Sequence, residues 1–202
     1  GIFISGFFLA LDMNKIFFCV IVFLSLISCQ NNPEIKVLNE IFYGLKLEKS
    51  PRAFMSESSL EFEKNEIPAN PEIKGMKDAE VFSTLITKPH PFFKSEISRV
   101  GISIDPKSSG SYFITESVSF KSPGKILSEY KNLEKVLLPL AEKTRKYESK
   151  DSFSNFKTEH TQFKLKKEYG SGLVEITPNV LFDKLDIRYT NNPEMDFAAD
   201  KK

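Results

Sequence analysis

Few residues of this chain carry the side chains that catalysis or metal binding most often requires. The 202 residues include two cysteines and two histidines. Cys19 and Cys29 lie in an apolar N-terminal stretch, whereas His90 and His160 lie far downstream. The chain after Cys29 therefore has no disulfide, no thiol nucleophile and no cysteine metal ligand, whatever the redox state of its compartment.

His160 is the histidine around which a Ser-His-Asp site could be assembled. It lies between Glu159 and Thr161 on a predicted strand edge, where an exposed histidine needs no catalytic role. The GSG sequence at 170–172 lacks the spacing of a G-x-S-x-G nucleophile elbow and is typical of a turn. The sequence has no phosphate-binding glycine loop, zinc-type histidine pair or EF-hand-like run. We expect no enzyme activity, no catalytic residue and no cofactor; a metal site built on scattered carboxylates stays open.

The overall charge excludes some partners. The formal net charge is +1, so we expect no long-range attraction to nucleic acid or to an anionic membrane. A small basic stripe is formed by Lys157, Lys164, Lys166 and Lys167. It could meet lipopolysaccharide phosphates or an acidic partner, but a solvated face or a lysine-protected sheet edge is the favoured interpretation.

Alternating apolar residues predict the strands that would carry these groups. Residues 99–105 and 112–120 alternate on either side of a PKSSG turn, which predicts a β-hairpin. Three later alternations, at 161–166, 174–176 and 185–189, predict further strands, with a break at the TPN sequence of 177–179.

One long helix is predicted between the two groups of strands. Ser122 and Pro123 form a cap-then-proline start. The expected buried stripe is Ile126, Tyr130, Leu133, Leu137, Leu140 or Ala141, and Thr144. Pro139 should kink this helix or break it into two helices. The sum is an α+β fold, an antiparallel sheet with one long helix packed on it in the order β-β-α-β-β-β.

The residues before the hairpin form a less regular region. A proline at Pro33 after two asparagines predicts a short helix, and the polar, proline-punctuated stretch after it predicts an irregular tether. In the KPHPFFK loop at 88–94, Phe92 and Phe93 could form an exposed lip for a partner, but burial in the core is favoured.

The N-terminal stretch is typical of a signal peptide. Met13, Asn14 and Lys15 supply a short positive start, and residues 16–28 form an apolar run. This run is shorter than the roughly 20 residues that span a bilayer. We expect translation to start at Met13. A single membrane helix over residues 2–28 is the alternative, and it would place Asp12 and Lys15 mid-span at high cost.

The run ends in Leu26-Ile27-Ser28-Cys29, which resembles the lipobox of bacterial lipoproteins, the signal peptidase II site. Leu26 and Cys29 match, Ser28 is a tolerated small residue, and Ile27 departs from the usual small residue. The resemblance implies a diacylglyceryl thioether on Cys29, cleavage before it and fatty acylation of the new amino group. An ordinary secretory signal is the alternative, and it would leave an odd unpaired cysteine.

The predicted organisation has four parts. Residues 1–28 are upstream residues and signal peptide, 29–95 the lipidated N-terminus with a short helix and irregular extension, 96–191 the α+β domain, and 192–202 a flexible tail. We expect a lipoprotein of the cell envelope, anchored to a bacterial membrane, most simply the outer membrane. Its function would be non-enzymatic binding of an envelope protein partner; the alternatives are an envelope hydrolase and a surface adhesin-type protein.

Overall fold

The computed structural model describes residues 33–43, 50–57, 60–65, 79–94, 97–104, 112–150 and 157–192. The chain divides into two units, Gly1–Lys36 and Val37–Lys202. The expected signal peptide, the start at Met13, the lipidated Cys29 and the tail beyond Asn192 lie outside the described residues. They stay predictions.

The described part of the chain contains one antiparallel sheet of eight strands, in the order β1-β2-β3-β4-β8-β7-β6-β5. The strands are Glu63–Asn65 (β1), Glu80–Ile86 (β2), Ile97–Ile104 (β3), Tyr112–Ser119 (β4), Ala141–Lys150 (β5), Lys157–Leu165 (β6), Leu173–Asn179 (β7) and Lys184–Thr190 (β8). The α+β class with an antiparallel sheet and a helix packed on it is therefore confirmed.

The described helices are Pro33–Ile41 (α1), Pro51–Glu57 (α2) and Pro123–Leu137 (α3). Three short 3-10 turns lie at Leu138–Leu140, Lys167–Tyr169 and Val180–Phe182. Helix α3 packs on β7 and β8. None of the helices in the described ranges is long and apolar enough to cross a membrane.

The predicted hairpin and helix start are confirmed. Strands β3 and β4 pair with Ile102 opposite Ile114, and both side chains are buried, because residues two apart share one face of a strand. Ser122 caps α3, since its side chain accepts a hydrogen bond from the backbone N–H of Lys125. The helix buries Ile126, Tyr130, Leu133 and Leu137, as the stripe predicted.

The expected continuation of this helix to Thr144 is wrong. Helix α3 ends at Leu137, a 3-10 turn contains Pro139, and β5 begins at Ala141. Pro139 has no N–H to donate to the preceding turn, which ends the helix rather than kinking it. Thr144 consequently lies on β5, an outermost strand of the sheet rich in charged residues, which discourages pairing with another chain.

The expected strand break at residues 177–179 is also wrong, since Pro178 lies inside β7. The described pairing of β6 with β7 ends at Ile176, so at Pro178 the strand pairs with β8 alone, opposite Leu185. A proline is tolerated where one side of a strand has no ladder partner.

The sheet also begins earlier than predicted. Strands β1 and β2 lie within residues 29–95, the part interpreted as an irregular extension, and β2 pairs with β3 along its whole length. The predicted boundary at residue 96 thus falls between two neighbouring strands of one sheet. The observed order of strands is four before α3 and four after it, in place of β-β-α-β-β-β.

Candidate functional site

His160 is buried, contrary to the expectation of an exposed histidine. It is only 3% exposed, because Tyr147 on the neighbouring strand β5 stacks on its ring with centroids 4.7 Å apart. Its Nε2 lies 2.6 Å from Ser149 Oγ, and its Nδ1 lies 2.8 Å from Thr177 Oγ1. Both ring nitrogens therefore have hydroxyl partners.

A buried carboxylate lies beside this histidine. Glu175 on β7 is fully buried, and its oxygens accept hydrogen bonds from the Tyr147 hydroxyl, from Gln162 Nε2 at 3.2 Å and from Arg188 Nη1 at 3.3 Å. Burial raises the pKa of Glu175, but the proximity of His160, the hydrogen bond from Tyr147 and the charge of Arg188 together bring the pKa below its ordinary value. Glu175 is thus a stabilised carboxylate.

Ser149, His160 and Glu175 follow the order of a nucleophile, a base and an orienting carboxylate. The nearer partner of His160 Nδ1, however, is Thr177 at 2.8 Å, while Glu175 Oε1 lies 3.7 Å away. Glu175 already accepts from three other side chains. The arrangement satisfies buried polar groups on the sheet, which such groups require in any stable fold.

The other histidine forms a second buried pair. His90 Nδ1 accepts hydrogen bonds from the backbone N–H groups of Phe92 and Phe93, at 3.0 and 3.2 Å. The ring hydrogen therefore sits on Nε2, which lies 2.9 Å from Glu116 Oε1. Phe93 is buried, as the favoured interpretation of this loop predicted.

The carboxylate of this pair is poorly satisfied. Glu116 is 1% exposed. Its Oε1 is close to His90 Nε2 but the two are not aligned for a hydrogen bond, and within the described ranges neither carboxylate oxygen completes one. Burial raises the pKa of Glu116 by more than nearby His90 and Ser98 lower it. The pair lies inside the core without access to a substrate, so we assign it no chemistry.

The predicted basic stripe is partly paired with carboxylates of β5. Lys157 Nζ lies 2.9 Å from Glu148 Oε2, and Lys164 Nζ lies 3.5 Å from Glu142 Oε1. These contacts agree with the favoured interpretation of a solvated face. The sheet-edge version of that interpretation is wrong, because β6 pairs with β5 on one side and β7 on the other.

A different set of lysines surrounds an apolar cavity at one end of the sheet. The cavity has a volume of about 300 Å³. Its apolar lining consists of Phe93, Ile97 and Phe120, and its polar lining consists of Ser119, Lys94, Lys121 and Lys125. The start of β3, the end of β4 and the start of α3 bring these residues together.

The 3-10 turn between β7 and β8 lies next to this cavity. The backbone N–H of Phe120 donates to the carbonyl of Asp183, which follows the turn, over 2.9 Å. Ser119 of the cavity pairs with Lys184 across β4 and β8. In the turn, Leu181 is 57% exposed and Phe182 is 69% exposed. We call the cavity with Leu181, Phe182 and Lys184 the basic apolar end.

The sequence interpretation did not identify the basic apolar end. Its residues come from four separate stretches of the chain, so no local motif marks them. One signal was available: the pair Leu181-Phe182 falls between predicted strands, in a position where polar turn residues are the rule.

Among the described residues, no group of three or more histidine, cysteine or acidic side chains could hold a metal ion. No known family model matches the chain, and no curated protein or solved structure is significantly similar to it. The molecule is an antiparallel α+β sheet domain, and one end of the sheet is apolar and surrounded by lysines.

Proposed function

We propose that this protein is a lipid-anchored binding module of the bacterial cell envelope, without enzyme activity, and that it binds its partner through the basic apolar end. The observation that carries the proposal is the exposure of Phe182 and Leu181 beside a lysine-rimmed apolar cavity. Exposed apolar patches with a polar rim are typical of interaction sites. The lipobox-like sequence ending at Cys29 supports the location.

The energetic reasoning starts from the turn itself. A turn between two strands needs no large apolar side chain, and here neither Leu181 nor Phe182 enters the core. Burying such a side chain against a partner contributes roughly 1.5–3 kcal/mol. The two side chains together with the cavity therefore provide the central apolar contact of a modest interface, and the lysines provide its rim.

The experiment is affinity purification of the intact lipoprotein from membranes, comparing the wild type with Phe182→Ser. Leu138→Ser is the matched control, because Leu138 is 58% exposed but lies after α3, at the opposite end of that helix from the cavity. We expect Phe182→Ser to lose the co-purified component and Leu138→Ser to keep it. Equal capture by all three proteins would contradict the proposal.

The location has its own test, mass spectrometry of the purified N-terminus. We expect the native chain to begin at Cys29 and to carry fatty acyl mass there. A chain that begins elsewhere, or an unmodified Cys29, would refute the lipid anchor and leave the binding surface to be judged on the purification alone.

An envelope hydrolase is the second candidate, favoured by the 2.6 Å approach of Ser149 Oγ to His160 Nε2. It requires Ser149 to react with a serine-directed fluorophosphonate and Ser149→Ala to abolish any ester hydrolysis. We expect no labelling at Ser149, because His160 Nδ1 bonds the Thr177 hydroxyl and the nearest carboxylate oxygen, Glu175 Oε1, lies 3.7 Å away. Labelling that disappears in Ser149→Ala would favour the hydrolase.

A further inference from the structure

We infer that the partner of the basic apolar end is an anionic phospholipid surface, with Leu181 and Phe182 entering the interface and the lysines facing lipid phosphates. This inference rests on the proposed function and names the chemistry of its partner. It concerns a second contact with the membrane, separate from the lipid anchor at Cys29.

The first reason is the local charge. Lys94, Lys121, Lys125 and Lys184 are all exposed at this end. Glu129 forms an ion pair with Lys125, and Asp183 lies in the turn. The chain as a whole carries only +1, so the gathering of four exposed lysines at this end comes from the fold and not from the composition.

The second reason is the shape of the apolar part. Leu181 and Phe182 project from a short turn beside the lysines, and Ile97 on the cavity wall is 46% exposed. Segments that lie in a membrane interface combine phenylalanine and leucine with lysine in this way, and their apolar groups enter about 5–10 Å into the boundary between headgroups and acyl chains. The cavity of about 300 Å³ offers apolar space beside the phosphates for part of one lipid.

The third reason is the strength of the attraction between the lysines and an anionic leaflet. Each lysine close to an anionic leaflet strengthens the contact about fivefold, so four lysines at this end make docking depend strongly on anionic lipid. A protein partner would need an apolar site for Leu181 and Phe182 with acidic groups around it. An anionic leaflet presents phosphates above acyl chains over its whole surface. Charge complementarity therefore favours the leaflet.

The chain contains no tryptophan, which makes a sharp test available. Phe182→Trp places a single reporter on the turn, and Leu138→Trp is the control at an exposed position elsewhere. Each full-length lipoprotein is reconstituted into vesicles of phosphatidylcholine alone and of phosphatidylcholine with phosphatidylglycerol. Emission maximum and quenching by brominated lipids report contact with the bilayer.

We expect the tryptophan at 182 to shift to the blue and to be quenched by brominated lipid only in the phosphatidylglycerol vesicles, and the tryptophan at 138 to stay in water. In the Phe182→Trp protein, neutralising Lys94 and Lys121 together with glutamine should lower the docked-to-undocked ratio about 25-fold. The matched pair Lys143→Gln and Lys150→Gln removes the same charge from β5 and should leave the ratio unchanged.

Three results would overturn the inference: a water-exposed tryptophan at 182 in both vesicles, equal quenching in both, or an equal loss in the β5 control pair. The proposed function fails separately. If the tryptophan at 182 stays in water while membrane purification still depends on Phe182, the partner is not lipid and the binding surface stands. If neither assay depends on Phe182, both proposals fall.

Discussion

Replacing each of the two buried glutamates of the sheet by glutamine should change the stability of the protein in opposite directions. Glu116 and Glu175 are both almost completely buried, yet the pKa of Glu116 is raised, chiefly by burial, whereas the pKa of Glu175 is lowered by its partners in spite of burial. We expect Glu116→Gln to stabilise the protein at neutral pH and Glu175→Gln to destabilise it.

The magnitudes follow from the contacts. The oxygens of Glu116 complete no hydrogen bond within the described ranges, and His90, with Nδ1 occupied, leaves no opposite charge behind when the carboxylate is removed. Glu116→Gln keeps a buried polar group but removes its charge, which should raise the free energy of unfolding at neutral pH by about 1–3 kcal/mol. Glu175 accepts hydrogen bonds from three side chains. Removing its carboxylate leaves the buried donors without a partner, although Arg188 is partly exposed and can turn to water. Glu175→Gln should therefore lower the free energy of unfolding by about 2–4 kcal/mol.

The two glutamate charges contribute to the free energy of unfolding with opposite signs, and each contribution depends on pH. Because the folded pKa of Glu116 lies above the unfolded one, its destabilising charge is absent below both values and grows as pH rises through the folded pKa. The stabilising charge of Glu175 is fully present above the unfolded pKa and is lost as pH falls through the lower folded pKa. Both differences from the wild type should therefore shrink toward acid.

The assay is urea denaturation of the three proteins between about pH 2.5 and pH 8, a range that extends well below the ordinary glutamate pKa of about 4.3. Changes in the midpoint with an unchanged slope report stability. A loss of stability in Glu116→Gln at neutral pH, or a gain that does not vary with pH, would refute the reasoning about this pair.

Three further predictions concern the fold. Gly172→Ala places a Cβ 2.4 Å from Cε2 of the buried Tyr189 and should lower the thermal unfolding free energy by about 3 kcal/mol; an unchanged melting temperature would show that the turn can shift. Gly124→Ala, with no atom within 4 Å of the new Cβ, should instead raise stability by about 0.5 kcal/mol because alanine favours the helix, and a loss on the same assay would contradict this. Leu133→Ala, at a fully buried helix position, should lower stability by about 3 kcal/mol in urea; a loss below about 1 kcal/mol would mean that α3 is loosely packed on the sheet.

Much of the sheet could be predicted because one face of each central strand is buried. The alternation is strict in β3 and runs from Leu185 to Tyr189 in β8, and in β4 it holds from Ile114 onward, so period-two patterns identify these strands. Strand β2 was missed because its apolar residues, Val81, Phe82, Leu85 and Ile86, do not alternate; their spacings of one and four are closer to a helical period than to a period of two. Pairing with its antiparallel neighbours β1 and β3 makes this segment a strand, although its own sequence pattern does not indicate one.

The two prolines were misjudged for a common reason. The effect of a proline depends on which backbone groups have partners in space, and the sequence does not give those partners. Pro139 ends α3 outright, and Pro178 is accepted in β7 where β6 no longer pairs.

The burial of His160 also could not be predicted from the residues next to it in the sequence. Its position opposite the helix-covered face follows from the alternation around Phe163. The stacking of Tyr147 depends on β5, whose first residues, up to Thr144, were predicted as helix. The basic apolar end was missed because four chain segments meet there. Non-local contacts of this kind have no signature in a window of sequence.

The central claim is that this protein binds an envelope component through the basic apolar end. Its most direct test is a photo-crosslinking amino acid at position 182 in living cells, compared with the same substitution at position 138. We predict a lipid or protein adduct at 182 and none at 138. No adduct at 182, or equal adducts at both positions, would contradict the claim.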